Sequence, residues 1–505
     1  MSAPPRAPYL ASLAAGALSM AVGACGGAAP AASPGPVAAP GSSPAASPEP
    51  ASTLSGTPVA LEESWQVLCA DRRHEPFDTG CMLYAVGALD DGTVVAGGGY
   101  YGAVSLGDAL LPKQAYETAV LAAFDANGHP LWHRVFGTEW HNQVSRVVPL
   151  GDDVLVAGTR ANGFDAGGAR LPDKRTAAGY EWQSEQGYVA MYARDGRLLW
   201  AHDAEQLVTG RDAPEGPVLF GAPDAAVRAP GGGAWLLYVT RAGSIAVRVD
   251  VRGEAVERLP YRAAAAVPLE LVRLAVDGKG AETRLAQTRN RRLVLSRFAP
   301  DGSTWSVVLA PVPAGEVGWL GALAVDDGGD AFVAWEDAAA GGITVTRVRA
   351  ADGARAWTRT LPGPIASVPP QKPGAELAGI DRDVRTGAPQ VSMRYRRPFV
   401  LSGFTLPTPP PPASDDPERD PRVRALATLS PEDGHVTAVG VFVPNVRACA
   451  QDYAARVGGG DIVFAGDSVY VASGEFPGYV PSRCPRLWGH YRAVVAKLAI
   501  RPVGR

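Results

Sequence analysis

The chain has 505 residues, of which 47 are Lys or Arg and 51 are Asp or Glu, so its formal net charge is only −4. Such a balance excludes the strong positive field on which nucleic-acid binding depends. Hydrophobic residues make up 46% of the chain, which is enough for a sizeable core and excludes disorder throughout. Beyond the first 24 residues there is no further long apolar run, which excludes a membrane protein with many spans.

Residues 1–24 predict a secretory signal peptide. A short stretch of small apolar residues runs from Leu10 to Ala24, which is typical of a signal rather than of a spanning helix. It leads into Val22-Gly23-Ala24-Cys25, which resembles the lipobox of bacterial lipoproteins. The resemblance implies cleavage before Cys25 and diacylation of that cysteine; the alternative is an ordinary signal followed by an incidental cysteine. Gly26 stands where an aspartate would favour the inner membrane, so we expect export and an outer-membrane address.

Residues 25–60 are dominated by Ala, Pro, Ser and Gly and carry a single charged residue, Glu49. A segment of this composition cannot bury a core, and its prolines favour extended, semi-stiff conformations. We therefore expect a disordered stalk that holds a folded domain, residues 61–505, away from the lipid.

One pattern recurs in seven copies from Tyr84 to Ile500. The first copy contains two apolar strands joined by Asp90-Asp91-Gly92, then a loop, and then two further strands joined by Asn127-Gly128. Repeats of four antiparallel strands indicate the blades of a β-propeller. The sequence thus predicts an all-β fold, a seven-bladed β-propeller; two stacked sandwiches, or a ring of six or eight blades, are the alternatives.

The turns and the last copy refine this prediction. Asn-Gly and Asp-Gly between apolar strands favour type I′ hairpin turns, in which both central residues have positive φ. The last copy supplies only three strands before the chain ends, and the segment Ser64–Cys69, just before the first blade, can supply the fourth. We expect this N-terminal strand to become the outer strand of the last blade and to close the ring.

Residues 122–132 and 190–200 each contain an apolar strand, an Asn-Gly or Asp-Gly turn and a Leu-Trp pair, and they resemble the repeat of quinoprotein-like propellers. That group includes quinone-dependent alcohol dehydrogenases. It also includes non-catalytic lipoproteins such as the propeller of the outer-membrane assembly machinery. The resemblance implies the fold but does not by itself imply an activity.

Four cysteines besides Cys25 are present: Cys69, Cys81, Cys449 and Cys484. An even number of cysteines in an exported chain predicts disulfides. Of the three pairings that remain open, we favour Cys69–Cys81 and Cys449–Cys484 because both close short loops. The spacings of 12 and 35 residues match no common zinc pattern, so we expect no metal there.

The long loops are expected to cluster on one face of the ring. They are 100–117, 161–187, 404–422 and 475–491, in copies one, two, six and seven, whereas copies three to five have short loops. Three of them contain Gly-x-x-Leu-Pro or a close variant, ending at Pro112, Pro172 and Pro407, and this regularity predicts a structural turn that folds the loop back on its own blade.

These loops also carry aromatic side chains, which often mark interfaces. The residues expected to contact a partner are Tyr101, Trp182 and Trp488 in these loops, together with Trp140 and His141 in the connection between copies one and two. For each of them, packing within its own loop is the alternative. The recurrent Trp132, Trp200, Trp305 and Trp357 occupy one position of the fourth strand and are expected to pack between blades instead.

No catalytic constellation is recognisable, and we predict that the chain is not an enzyme. Quinone-dependent dehydrogenases use adjacent cysteines, a bound calcium and a catalytic aspartate, and no adjacent cysteines occur here. The run Asp326–Asp330 resembles a calcium loop but is expected to be a hairpin turn. A polysaccharide-cleaving propeller, with His141 and Tyr100 as contributors, is the other enzymatic alternative. The favoured reading is a monomeric, lipid-anchored binding or scaffolding module for an envelope protein or glycan, with no cofactor.

Overall fold

The computed structural model of the chain describes residues 57–71, 80–137, 142–161, 163–172, 186–209, 222–240, 243–259, 262–263, 269–288, 290–312, 321–337, 339–362, 375–383, 386–395, 399–401, 404–406, 423–442, 461–465, 468–475 and 492–502. Nearly all of them lie in β-strands or in the turns that join strands. Among the described residues, no helix has the length and apolar character that crossing a lipid bilayer requires.

The N-terminal half begins with a strand that belongs to the last blade, β1 (Thr57–Asp71). Blade 1 follows with a small extra hairpin inserted before its third strand, and blade 2 ends in a short helix. In chain order these elements are β2 (Gly80–Ala88), β3 (Val94–Gly102), β4 (Val104–Leu106), β5 (Ala109–Leu110), β6 (Gln114–Phe124), β7 (Pro130–Phe136), β8 (Gln143–Leu150), β9 (Asp153–Arg160), β10 (Gln186–Tyr192), β11 (Leu198–Asp203) and α1 (Ala204–Thr209).

Blades 3, 4 and 5 have shorter loops between their second and third strands. Their strands are β12 (Ala225–Arg228), β13 (Ala234–Thr240), β14 (Gly243–Val249), β15 (Ala255–Arg258), β16 (Arg262–Ala263), β17 (Leu269–Val276), β18 (Glu282–Thr288), β19 (Arg292–Phe298), β20 (Thr304–Pro311), β21 (Gly321–Val325), β22 (Ala331–Asp337), β23 (Gly342–Val348) and β24 (Arg355–Pro362).

Blades 6 and 7 complete the ring, and blade 6 again carries a small extra hairpin, β27–β28. The strands are β25 (Ala375–Arg382), β26 (Pro389–Tyr395), β27 (Val400–Leu401), β28 (Phe404–Thr405), β29 (Val423–Leu429), β30 (Val436–Phe442), β31 (Asp461–Ala465), β32 (Ser468–Glu475) and β33 (Arg492–Pro502).

The predicted seven-bladed propeller is confirmed. Each blade is an antiparallel sheet whose four main strands follow one another from the first, innermost strand to the fourth, outer one. The first strands contact one another around a ring, from β2 through β8, β12, β17, β21 and β25 to β31 and back to β2. Hydrophobic side chains fill the spaces between neighbouring blades, as in the cluster of Phe136, Phe164 and Tyr188 between blades 1 and 2.

Closure of the ring by the N-terminal strand is also confirmed. β1 pairs antiparallel with β33, from Val59 opposite Pro502 to Cys69 opposite Ala493, and becomes the fourth strand of blade 7. β1 begins at Thr57, so residues 57–60, assigned above to the stalk, are strand, and Thr57 and Pro58 pair in parallel with β30 of blade 6. The rest of the predicted stalk and the predicted signal peptide lie outside the described residues.

The hairpin turns lie where the sequence places them, but the predicted type I′ geometry is wrong. At the first such turn the Asp125 N–H donates to the His129 carbonyl, and the Gly128 N–H donates to the Asp125 carbonyl. Gly128 has a φ of 84°, whereas Arg291 is the one non-glycine residue of the described chain with positive φ. This is a type I turn followed by a glycine bulge, in which one left-handed residue is enough, so Asn127 keeps an ordinary φ.

The four recurrent tryptophans pack between blades, as predicted. Each indole N–H of the fourth strand donates to a carbonyl in the third-to-fourth turn of the next blade: Trp132 to Arg194 (2.7 Å), Trp200 to Val251 (2.8 Å), Trp305 to Ala350 (2.8 Å) and Trp357 to Pro431 (2.9 Å). The ring of each indole lies over the glycine of that turn, where a side chain would collide with it. Neighbouring blades are thus joined by one repeated contact.

In blade 3, the indole that contacts the next blade comes from the second strand rather than from the fourth. Glu257 occupies the register that tryptophan occupies in blades 1, 2, 4 and 5. The indole comes instead from Trp235 on β13, which donates to the Gly278 carbonyl of blade 4 (3.1 Å) and lies over Gly280. The tryptophan bridge therefore continues across this interface although the repeat position has lost its tryptophan.

Candidate functional site

The ring has two ends of different character. The turn face is formed by the first-to-second and third-to-fourth hairpins, and the loop face by the second-to-third loops and the connections between blades. Strand directions in an antiparallel blade require this division. The contacts of the turn face make it the less suitable end for binding.

Arginines join the blades along the turn face. Arg134 donates from Nε to the Gly196 carbonyl of blade 2 (2.8 Å), and Arg359 donates to the Asp433 carbonyl of blade 6 (3.0 Å). Arg297 is buried, where it pairs with Asp277 of its own blade and donates to the Gly329 carbonyl of blade 5. Backbone carbonyls and cations on this face are therefore largely occupied by contacts within the ring.

The run Asp326–Asp330 is a hairpin turn, as predicted. The Asp326 N–H donates to the Asp330 carbonyl, and the Asp330 N–H donates to Asp326 Oδ1 (both 2.9 Å). Arg347 pairs with Asp330 at 2.8 Å and supplies the positive charge that a cation would otherwise bring. Burial raises the pKa of Asp326. No group of three or more metal-ligating side chains occurs in the part of the chain that the structure describes.

Capping carboxylates on the turn face predict a loss of stability in acid. The Ser430 hydroxyl and then His435 lower the pKa of Asp433 to about 2, and the His129 backbone N–H and side chain lower the pKa of Asp125. Since these folded pKa values lie below the unfolded value of about 3.9, their stabilisation is present above pH 4 and is lost as the pH falls towards 2. We expect the urea midpoint to fall over that window.

The test compares urea unfolding of the wild type and Asp433→Asn at several pH values between 5 and 2. The variant should lose less stability than the wild type over the acid window, because asparagine does not titrate. Equal acid slopes for the two proteins would contradict the assignment of this pH dependence to Asp433.

On the loop face, blade 1 is joined to β1, the N-terminal strand that closes the ring. The small β4–β5 hairpin pairs through β4 with the end of β1, where Leu106 lies opposite Cys69. At the same place Cys69 forms a disulfide with Cys81 of β2, and both residues are fully buried. This confirms the first predicted pairing and places it at the loop face; the Cys449–Cys484 pairing lies outside the described residues.

The β4–β5 hairpin is one of three similar structures, which we call caps (104–111, 164–171 and 399–406). In each, a leucine N–H donates to the carbonyl seven residues earlier: Leu111 to Val104 (3.0 Å), Leu171 to Phe164 (3.0 Å) and Leu406 to Phe399 (2.9 Å). All three leucines are buried. The repeated Gly-x-x-Leu-Pro pattern is therefore a structural turn, as predicted.

The caps fold back on their own blades, as predicted: in blade 2, Phe164 packs against Tyr188, and the Tyr192 hydroxyl donates to the Ala166 carbonyl (2.9 Å). Each cap also contacts the preceding blade, which was not predicted. The cap of blade 1 pairs with β1 of blade 7, the cap of blade 2 places Phe164 against Phe136 of blade 1, and the cap of blade 6 contacts β24 of blade 5. Each cap covers the outer strand of the preceding blade, because that is where the apolar edge between two blades is open.

The predicted distribution of long loops needs a second correction. The second-to-third loops of blades 3, 4 and 5 are short, as expected. Connections that follow blades 2 to 6 are longer than predicted, however, and span residues 204–224, 259–268, 312–320, 363–374 and 443–460. Insertions on the loop face are thus not confined to copies six, seven, one and two.

One of the predicted contact residues can be placed. Tyr101 lies on β3 opposite Gly80 and is partly buried near the rim of blade 1. Tyr100, beside it, is fully buried and donates from its hydroxyl to the Pro112 carbonyl (2.8 Å); burial raises its pKa to about 12. Tyr100 is therefore a support for the cap rather than a catalytic group. Outside the described residues lie Cys25, Trp140, His141, Trp182, Cys449, Cys484 and Trp488.

Exposed apolar side chains mark the caps of blades 1 and 6. Leu110 on the cap of blade 1 is 61% exposed, Tyr116 on β6 of the same blade is 41% exposed, and Val400 on the cap of blade 6 is 52% exposed. Sequence reasoning missed Leu110 and Val400, since alternation in so short a hairpin does not show which residue faces solvent.

A buried polar cluster lies under the cap of blade 2. Arg160, Gln186 and Asp203, which we call the blade 2 polar cluster, are 0%, 5% and 1% exposed. Arg160 Nη2 pairs with Asp203 Oδ2 and donates to the Pro172 carbonyl (2.9 Å), and Gln186 stands opposite Arg160 on β10. Among the described residues, Arg160 Nε and Nη1 and both amide atoms of Gln186 have no hydrogen-bond partner.

Known proteins are only distantly similar to this chain. No protein-family model and no curated protein matches the chain. The RRP9 WD40 repeats are similar over 88% of this chain and 100% of that chain, with 10% identity and a TM-score of 0.42. U3-55K is similar over 85% and 98%, with 9% identity and a TM-score of 0.41.

A member of the DUF4221 family from Bacteroides vulgatus is similar over 89% of this chain and 100% of that chain, with 7% identity and a TM-score of 0.39. TM-scores below 0.5 at such identities carry no information on function. What the chain binds must therefore be inferred from its own residues.

Proposed function

We propose that the chain is a non-catalytic protein-binding module whose contact surface is the loop face. The observation that carries the proposal is the exposure of Leu110 and Val400 on caps that backbone hydrogen bonds close, together with the exposure of Tyr116 on β6. Exposed apolar side chains on a rigid support contribute contact area at little entropic cost. Two of the three are aliphatic, which favours a protein partner over a glycan, since sugars are bound on aromatic platforms.

The opposite end of the ring supports the same choice. Turn-face carbonyls accept hydrogen bonds from tryptophans and arginines of neighbouring blades, as the Pro431 carbonyl does from both Trp357 and Arg347. A partner that docked there would compete with contacts that join the blades. The loop face can be covered without disturbing them.

The proposed cellular setting is the outer membrane, where the chain is lipid-anchored through Cys25 on an Ala/Pro-rich stalk and acts as a monomer on an envelope protein. Its support is the lipobox resemblance of residues 22–25. Globomycin, which blocks cleavage of lipoprotein signals, should cause the uncleaved form to accumulate. Normal processing in its presence, with recovery as a soluble periplasmic species, would exclude the anchor.

The binding proposal is tested by photo-crosslinking in intact envelopes. A photoreactive residue in place of Leu110 should give a discrete adduct, and the same residue in place of Asp301, on the turn face, should give none. The Tyr116→Asp variant should weaken the Leu110 adduct, whereas a charge reversal at Asp301 should leave it unchanged. Equal adducts from both faces would exclude the loop face as the specific surface.

A further inference from the structure

The blade 2 polar cluster can be compared with the equivalent positions in blades 1 and 6. Tyr100, Arg160 and Tyr395 each stand twelve residues before the proline of the Gly-x-x-Leu-Pro pattern, at the end of the second strand, and all three are fully buried. In blade 1 the Tyr100 hydroxyl donates to the Pro112 carbonyl, and in blade 2 Arg160 Nη2 makes the same bond to Pro172. One hydrogen-bond donor to the proline carbonyl is thus enough to support a cap.

Arg160 brings more donors than that support requires. The residues that face this position also differ between the copies. Opposite Tyr100 stands Thr118, and opposite Arg160 stands Gln186. In each of these blades, the third-strand residue two positions further on pairs with a residue of the fourth strand. That fourth-strand residue is Val135 in blade 1 and Val441 in blade 6, but Asp203 in blade 2. Blade 2 therefore places an ionic and an amide side chain where its sister blades have small or apolar ones.

A buried polar atom without a hydrogen bond is costly, and such atoms mark places where ordered water, an ion or a ligand completes the structure. Four of them meet here on two neighbouring side chains, Arg160 and Gln186. Cross-strand neighbours lie close enough for one small molecule to contact both. Within the described residues, the hydrogen bonding of the cluster is thus incomplete.

The charges of the cluster indicate what kind of group completes it. Asp203 already neutralises the Arg160 guanidinium. A negatively charged ligand would therefore find no unpaired cation in this buried position, and a buried charge without a partner is costly. Arg160 offers only donors, whereas the Gln186 amide offers a donor and an acceptor. A hydroxyl group, which donates and accepts, fits both.

We propose that the blade 2 polar cluster binds a neutral, hydroxyl-rich ligand, a monosaccharide or a terminal sugar residue, between Arg160 and Gln186. Neighbouring hydroxyls of the ligand accept from Arg160 Nε or Nη1 and exchange hydrogen bonds with the Gln186 amide. This site is separate from the exposed partner surface and does not depend on the proposed protein-binding function. Because the cap covers the cluster, entry requires the cap to open, so the ligand should bind slowly.

The test uses the purified protein and thermal unfolding, with glucose, galactose, N-acetylglucosamine and glycerol as neutral probes and acetate as the anionic probe. At about one hundred times its dissociation constant, at least one sugar should raise the Tm by about 3 °C after long incubation. The matched variant is Arg160→Tyr with Gln186→Thr and Asp203→Asn, which copies the first two positions of blade 1 and keeps a side-chain acceptor for the Glu205 N–H.

This variant should fold, because the tyrosine can make the bond to Pro172 that Tyr100 makes to Pro112, and it should show no sugar-dependent shift. The Tyr100→Phe variant, which alters the cap of blade 1 only, should keep the full shift and controls for general destabilisation. The proposal is wrong if no sugar raises the Tm of the wild type, if the triple variant responds equally, or if acetate alone raises it. None of these outcomes bears on the crosslinking result at Leu110.

Discussion

A chain that lacks Thr57–Asp71 is expected to lose cooperative folding altogether. β1 pairs with β33 along nearly its whole length, and its end also pairs with β4 of blade 1. Without it, blade 7 retains three strands and β33 becomes an open edge that can pair with other molecules. We expect the truncated chain to aggregate on refolding and to show no sigmoidal unfolding by circular dichroism, whereas the chain from residue 53 onward unfolds cooperatively.

The disulfide at the same junction supplies the matched control. Replacing Cys69 and Cys81 together with alanine removes the covalent link but keeps every backbone pair of β1. From the length of the closed loop we expect the free energy of unfolding to fall by about 3 kcal/mol while cooperativity is retained. Should the truncated chain instead melt as cooperatively as the cysteine variant, closure of the ring by strand exchange would be contradicted.

Ring closure could be predicted because every blade of a propeller needs four strands. The last copy contains three strand patterns and the segment Ser64–Cys69 is a fourth without a partner, so the assignment follows from arithmetic and from the need to leave no edge. The Cys69–Cys81 pairing was favoured for a separate reason, because it closes a short loop. Both features depend on local sequence patterns that can be recognised without an alignment.

Turn geometry and the contacts of the caps with the preceding blade could not be predicted, for a different reason. Asn-Gly fits both a type I′ turn and a type I turn with a glycine bulge, and only the register of the flanking strands decides between them. The Leu111 and Leu171 turns were recognisable from Gly-x-x-Leu-Pro, but whether a cap also covers the preceding blade depends on packing across an interface. Phe164 reaches Phe136 although the sequence separates them by a whole hairpin.

The blade 2 polar cluster was missed because its members are far apart in the chain. Arg160 and Asp203 are brought together by two strand registers, not by spacing. One signal was nevertheless available: alignment of the three patterns on their proline places Arg160 in line with Tyr100 and Tyr395. A charged residue at a position that two sister copies fill with tyrosine is the kind of departure from a repeat that points to a function.

Two glycines of the second strands are expected to tolerate no side chain at all. The first strands β2 and β8 each contain a bulge, between Leu83 and Ala85 and between Val144 and Arg146. Close to each bulge, at Gly98 and at Gly158, a methyl group would overlap a carbonyl oxygen of the first strand. Such an overlap cannot be relieved by a side-chain rotation, because the opposing atom belongs to the backbone.

Gly158→Ala should therefore lower the free energy of unfolding by about 3 kcal/mol, measured by urea titration with tryptophan fluorescence. Gly379→Ala is the matched control, because Gly379 follows a bulge in the first strand of blade 6 and an added methyl group there meets no atom within 4 Å. That substitution should raise stability by roughly 0.5 kcal/mol, since alanine loses less backbone entropy on folding. The changes in the free energy of unfolding should therefore have opposite signs at Gly158 and Gly379, because the bulged strand β8 lies against Gly158 and leaves no room for a methyl group. Equal changes would mean that the bulge of β8 does not contact Gly158 in the folded protein.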